Sequence, residues 1–183
     1  MFDTASSNGR LIKFVPASGA ASRMFQKLQS VLNRFNNFTL DNFKKINDAM
    51  RHHAGDKLLK MLSTRFFEVL QQGDIAGRWG GDEFVLLSEH LSSESLVIDM
   101  AQRLLEIIRQ RFEIDDLEVF VSASIGISFY PENGFTSEVV VKMAGTAMYR
   151  IKEDGGNQYG LYSPELSAAW TREQITLEKE LRT

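Results

Sequence analysis

Two carboxylates stand side by side at Asp82 and Glu83, directly after Gly80 and Gly81 and directly before Phe84. Apolar stretches flank them: Ile75-Ala76-Gly77-Arg78-Trp79 before, Phe84-Val85-Leu86-Leu87 after. Two short apolar runs broken by glycines and acids predict a β-hairpin with carboxylates at its tip. Glycines there let the backbone approach a ligand with no Cβ in the way. Mg²⁺ takes hard oxygen ligands, typically one or two carboxylates completed by phosphate oxygens and water. Acids on such a turn suit a divalent cation beside a phosphate, which is what phosphoryl transfer requires. Taken alone, the five residues also fit an ordinary turn with solvated acids, so the surrounding elements decide.

Those elements read as a mixed α+β pattern. Asp56 to Gln72 carries Leu58, Leu59, Leu62, Phe66, Val69 and Leu70 on one face and predicts a helix ended by Gly73. After the hairpin, Ser92 or Ser93 caps a second helix with Val97, Met100, Ala101, Leu104, Leu105 and Ile108 on one side. From Leu117 to Phe129 every odd position is apolar, predicting one long strand with a bend near Gly126. Val139 to Ile151 predicts a helix and Tyr159 to Tyr162 a short last strand. Upstream, Leu11 to Val15 predicts a strand and Met24 to Phe35 a helix, while Asn36 to Phe43 is ambiguous. Pro164 sits where a helix starts, and Leu166, Trp170, Leu177 and Leu181 give that helix an apolar stripe.

Composition narrows the class. The chain has 183 residues, 43% hydrophobic and 25% charged, which suits one ordinary globular domain with extensions. There is no cysteine, so thiolate metal sites and disulfides are excluded, and a cytoplasmic setting is expected. The net charge of −3 gives no electrostatic reason to expect a nucleic-acid partner. No apolar run is long enough to predict a membrane span.

A second segment lies upstream of the hairpin: Leu40-Asp41-Asn42-Phe43-Lys44-Lys45-Ile46-Asn47-Asp48, then His52-His53-Ala54-Gly55-Asp56. Together with Gly80 to Phe84 it resembles the GGDEF domains of diguanylate cyclases, which make cyclic di-GMP from GTP. The spacing between the two segments needs no gap against the family pattern. Ser124 to Pro131 resembles the family's later strand. Ala147 to Lys152 with Gly155-Gly156-Asn157 resembles its last helix and loop. The likeness covers about Asp41 to Tyr162.

The resemblance implies a ferredoxin-like α+β fold, a central mostly antiparallel sheet of about five strands wrapped by helices. It implies GTP as ligand, Mg²⁺ or Mn²⁺ as cofactor, and a homodimer for catalysis. Asn47 and Asp56 would meet the guanine edge, and His52 would touch the nucleotide. Lys44 and Lys152 would contact phosphates, Lys44 also steadying transition-state charge. Arg78 would brace the turn or reach phosphate. Asp82, Glu83 and the Leu40 backbone would hold the metal, Asp82 also helping to deprotonate the attacking hydroxyl. The implied division is an atypical segment 1–38, a GGDEF domain 39–163 and a connector helix 164–183 that resembles those leading to EAL phosphodiesterase domains.

The chain departs from the family pattern in several places. Thr39 stands where the pattern has a metal-binding Asp, and a hydroxyl is a much weaker Mg²⁺ ligand. Asp41 is the second acid of that pair, expected on the opposite face. Gly156 stands where an Arg often contacts phosphate. Gln71 replaces the Arg that, with Asp74, would complete a product-inhibition site. Residues 11–24 instead resemble a loop of sugar-nucleotide pyrophosphorylases. Two readings therefore stay open: a diguanylate cyclase domain, or a catalytically impaired domain that binds GTP and regulates an attached EAL domain.

Overall fold

The hairpin forms where glycines and acids predict it. β2 (Ile75–Gly80) and β3 (Glu83–Leu87) pair antiparallel around the turn at Gly81-Asp82. The computed structural model describes residues 34–41, 43–50, 52–88, 91, 93–165 and 168. Within them, β1 (Arg34–Leu40) precedes α1 (Phe43–Met50) and α2 (His52–Phe66). The hairpin is followed by α3 (Glu94–Arg109), β4 (Phe112–Ile114), β5 (Leu117–Val119), β6 (Ala123–Phe129), α4 (Ser137–Glu153) and β7 (Tyr159–Leu161). The main sheet has the order β2-β3-β1-β6-β7, antiparallel except for the parallel β6/β7 pair. This is the five-stranded α+β architecture that the sequence implies.

β6 is buried along its whole length because helices cover both faces. On one face Leu40, Phe84, Leu86, Ile125 and Ile127 join Leu58 and Leu62 of α2 and Leu104 and Ile108 of α3 in the main core. On the other, Ser124, Gly126 and Ser128 leave room for α4. A Cβ at Gly126 would lie 2.0 Å from the Ala144 carbonyl oxygen and 2.3 Å from the Met148 nitrogen. Ser128 Oγ donates to the Val140 carbonyl at 2.7 Å, so the helix rests directly on the strand. Thr136 caps this helix and Ser93 caps α3, as short hydroxyl side chains do.

Three expectations change. The ambiguous segment is a central strand as far as Leu40, where β1 pairs with β3 on one side and β6 on the other, and Phe43 at its far end opens α1. The helix expected over 24–35 lies outside the described residues up to 33, and Arg34 and Phe35 already belong to β1. The run from Leu117 to Phe129 is two strands. β5 pairs with β4 in a separate hairpin, closed by Asp115 and Asp116 at φ 52° and 63°, the positive values of a two-residue turn. The break falls at 120–122, and Gly126 sits mid-strand. Alternation survives the break because Val119 and Val121 are both buried.

α2 also stops at Phe66, short of Gln72. The next amides donate three residues back, Phe67 to Thr64 and Glu68 to Arg65, so the chain tightens into turns. Val69 and Leu70 stay buried, which is why the apolar period runs past the helix. At the other end of the chain Pro164 and Glu165 are helical, with Ser163 Oγ donating to Glu165 at 2.6 Å. The expected strand near Leu11 lies outside the described residues, as does most of the connector helix.

Candidate active site

The signature turn is held by its own neighbours. Gly81 adopts φ 51°, a conformation that favours glycine. Arg78 Nε donates to the Gly81 carbonyl at 2.7 Å, so this arginine braces the turn, one of its two expected roles. A Cβ at Gly80 or Gly81 would meet nothing within 4 Å, so the outside of the turn is open to a ligand.

The acids face β1. Thr39 lies directly opposite Glu83 on one side and Ser124 on the other. Opposite residues share a face, so Glu83, Thr39 and Ser124 form one cross-strand row. Thr39 is only 2% exposed, and its Oγ1 donates to Asp82 Oδ2 at 2.9 Å. Thr39 therefore stands beside the signature acid. Leu40 buries its side chain in the core, leaving only its main chain for the site.

Asp41 is not on the opposite face. A strand repeats every two residues, which puts 39 and 41 on the same side. Ser124, the residue across from Thr39, donates to Asp41 Oδ1 at 2.6 Å. Ser122 Oγ at 2.8 Å and the Asn157 amide at 3.0 Å both donate to Oδ2. Asp41 thus ties the end of β1 to β6 and to the loop before β7. Asn157 is held in turn by Arg109, whose Nε donates to Oδ1 at 2.7 Å and whose Nη2 donates to the carbonyl at 2.6 Å. Gly156 has φ 70°, and a Cβ there would sit 3.0 Å from the Asp41 carboxylate. Sequence reasoning missed this knot. Its one signal was Ser122-x-Ser124, two hydroxyls alternating into an apolar strand.

A second group sits on α1 and α2. Asn47 of α1 lies over Gly55 of α2, where a Cβ would come within 2.1 Å of its Oδ1. That Oδ1 is buried with no hydrogen-bond partner, an arrangement that polar groups keep only for a reason. Asp56 follows Gly55 and is exposed, as are Lys44 and, in the last turn of α4, Lys152. The side chain of His52 is outside the described residues. Asp74 is used locally, accepting from the Gln71 amide at 2.7 Å.

Among the described residues no three His, Asp or Glu side chains gather as a metal cluster. Asp82 and Glu83 offer two carboxylates, which suits Mg²⁺ when phosphate oxygens and water supply the rest. The donor set fits a cation that arrives with a phosphate.

Residues 22–158 match the diguanylate cyclase GGDEF domain family. This chain belongs to the GGDEF domain family. It is 40% identical over 143 residues to the cyclic di-GMP phosphodiesterase PdeR of Escherichia coli, covering 78% of this chain and 21% of that protein. It is 39% identical to the bifunctional diguanylate cyclase/cyclic di-GMP phosphodiesterase MucR of Pseudomonas aeruginosa, with the same shares covered. The crystal structure of an EAL/GGDEF domain protein from M. capsulatus superposes with a TM-score of 0.73 at 30% identity, covering 81% of this chain and all of that one. The GGDEF chain therefore spans about a fifth of the length of the curated relatives it matches. No helix among its described residues is long and apolar enough to cross a membrane.

Proposed function

We propose that this GGDEF domain binds GTP together with Mg²⁺ or Mn²⁺ in cyclic di-GMP signalling, and that its main output is regulation of an attached EAL phosphodiesterase domain. The observation that carries this reading is the Thr39 hydroxyl bonded to Asp82. A neutral donor stands where the family pattern has a metal-binding carboxylate beside those of Asp82 and Glu83. Asn47 and Asp56 would hold the guanine edge, Asn47 through the buried oxygen that has no partner. Lys44 and Lys152 would contact the nucleotide's phosphates, and His52 would touch the nucleotide. A bound cation would neutralise phosphate charge beside Asp82 and Glu83. The name and length of PdeR support a larger protein around the domain.

The second reading is condensation of two GTP into cyclic di-GMP. The intact turn with Asp82 and Glu83 favours it, as does the likeness to the bifunctional MucR. Two protomers would meet face to face. Each 3′-oxygen would bond to the partner nucleotide's α-phosphorus as the bond to pyrophosphate breaks, its proton passing to Asp82. Lys44 would steady charge on the phosphoryl oxygens.

One pair of measurements separates the readings. The protein is titrated with GTP and Mg²⁺ or Mn²⁺, then incubated and analysed for cyclic di-GMP by chromatography. Binding without product is expected. Product that disappears in Asp82→Ala establishes condensation instead, and absence of GTP binding overturns both.

A further inference from the structure

We infer that Arg109, at the end of α3, is a positioning residue for the phosphate side of the nucleotide site. Through Asn157 it holds Asp41 and the last turn of α4, so its loss weakens the grip on phosphates and spares the guanine. This rests on the GTP-binding reading above.

An arginine in the last turn of a helix ordinarily serves that helix's own carbonyls. At the end of α3 the task falls to Arg65 of α2. Its Nη1 donates to the carbonyls of Ile107 at 3.0 Å and Gln110 at 2.9 Å, and its Nη2 donates to that of Arg111. Its guanidinium carbon lies 3.6 Å from the centre of the Phe112 ring. Arg109 reaches elsewhere. Its Nε and Nη2 donate to the side-chain and main-chain oxygens of one residue, Asn157, at 2.7 and 2.6 Å. Two donors on a rigid fork fix the orientation of their partner as well as its position. The grip also crosses layers, because α3 packs on the main-core face of the sheet and Asn157 follows α4 on the other.

Both flanks of the phosphate side hang on Asn157. It has φ 59°, a conformation asparagine tolerates, and its amide donates to Asp41 Oδ2 at 3.0 Å. Asp41 stands three residues before Lys44, which lies in the first turn of α1. On the other flank the Gly156 amide donates to the Ile151 carbonyl at 2.9 Å, in the turn that carries Lys152. The guanine side is anchored separately, since α1 and α2 bury Ile46, Ala54 and Leu58 in the main core. Arg109 and Asn157 are exposed, so losing their contact loosens the loop without opening that core. A loosened Lys44 and Lys152 must then be ordered when phosphate binds, which costs affinity.

The test compares binding of GTP, by calorimetry with Mg²⁺, and of guanosine, by NMR titration. Arg109→Ala should weaken GTP binding roughly tenfold, the cost of ordering one or two freed side chains, and leave guanosine binding unchanged. Arg109→Lys keeps the charge but not the fork, and should recover part of the loss. Asn157→Gly keeps the positive φ and the amide but removes the side-chain acceptor. It should weaken GTP binding less, and the double variant should bind GTP no worse than Arg109→Ala alone. GTP binding by Arg109→Ala equal to that of wild type would overturn the inference. An equal loss for GTP and guanosine would overturn it too, because that is general loosening of the fold. Either result leaves the GTP-binding reading intact, whereas a wild type that binds no GTP removes both. If Arg109→Ala fails to fold, the same contrast between GTP and guanosine in Arg109→Lys decides.

Discussion

Thr39 Oγ1 and Asp82 Oδ2 are joined by a 2.9 Å hydrogen bond between two segments 43 residues apart in sequence. It links the central strand to the signature turn and positions a hydroxyl at the acid. Asp82 is only partly buried, so water can replace the donor. Thr39→Val keeps the shape and removes the proton. The expected loss is about 0.5–1.5 kcal/mol, offset in part by valine's preference for strands. Urea denaturation checks it. A loss of several kcal/mol would mean the bond organises more than the turn.

The Asp41 knot should matter more. Asp41→Ala removes an acceptor shared by three donors and leaves the Ser122 and Ser124 hydroxyls to find new partners. Hydrogen bonds to charged groups contribute roughly 1.5–3 kcal/mol each and do not add fully when they share an atom group. A destabilisation of about 2–4 kcal/mol is expected in chemical denaturation. Amide exchange at Asn157 should rise in the same variant, while exchange in α2 should not.

Gly126 tests the helix-on-strand contact. A methyl group there would fall 2.0 Å from the Ala144 carbonyl oxygen and 2.3 Å from the Met148 nitrogen, and backbone atoms cannot step aside. Gly126→Ala should cost at least about 3 kcal/mol, the upper end of overpacking effects. A thermal melt within error of wild type would show that α4 sits further from β6.

The β4–β5 turn carries a pH-dependent contact. Asp115 pairs with Lys57 of α2, and that hydrogen bond is the main cause holding its carboxyl below the ordinary value. A depressed folded-state pKa contributes stability above the unfolded value, about 4 for Asp, and loses it as pH falls through the folded value. Asp115→Asn keeps a side chain that tolerates the residue's positive φ and removes the charge. The stability gap between wild type and variant should be present at neutral pH, vanish at acid pH, and shrink in high salt. A gap that persists at acid pH would exclude the ion pair as its source.

The hairpin, α3, α4 and the buried strand β6 were legible because each carries its signal locally. The turn residues at 80–83, the capping hydroxyls and the alternation through Ile125 and Ile127 are short-range patterns. β1 was not legible. Asn36 and Asn37 are poor strand residues, and what makes them strand is pairing on both sides, with Asn37 opposite Val85 and Gly126. The Arg109–Asn157 contact, 48 residues apart, was hidden for the same reason. Thr39 was legible as a departure from the family pattern, but its bond to Asp82 required the fold.

β1 comes first among the described strands, yet it lies in the middle of the sheet, between β3 and β6. Asp41, the residue that follows it, makes contacts 81, 83 and 116 positions ahead. Such non-local pairing is slow to form, because long loops must close before any contact rewards them. On a ribosome β1 must therefore wait with both edges unpaired while α1, α2 and the hairpin emerge. The hairpin can form early; the partner side of the site cannot. A chain halted before Asn157 would carry the whole signature and still lack a finished site.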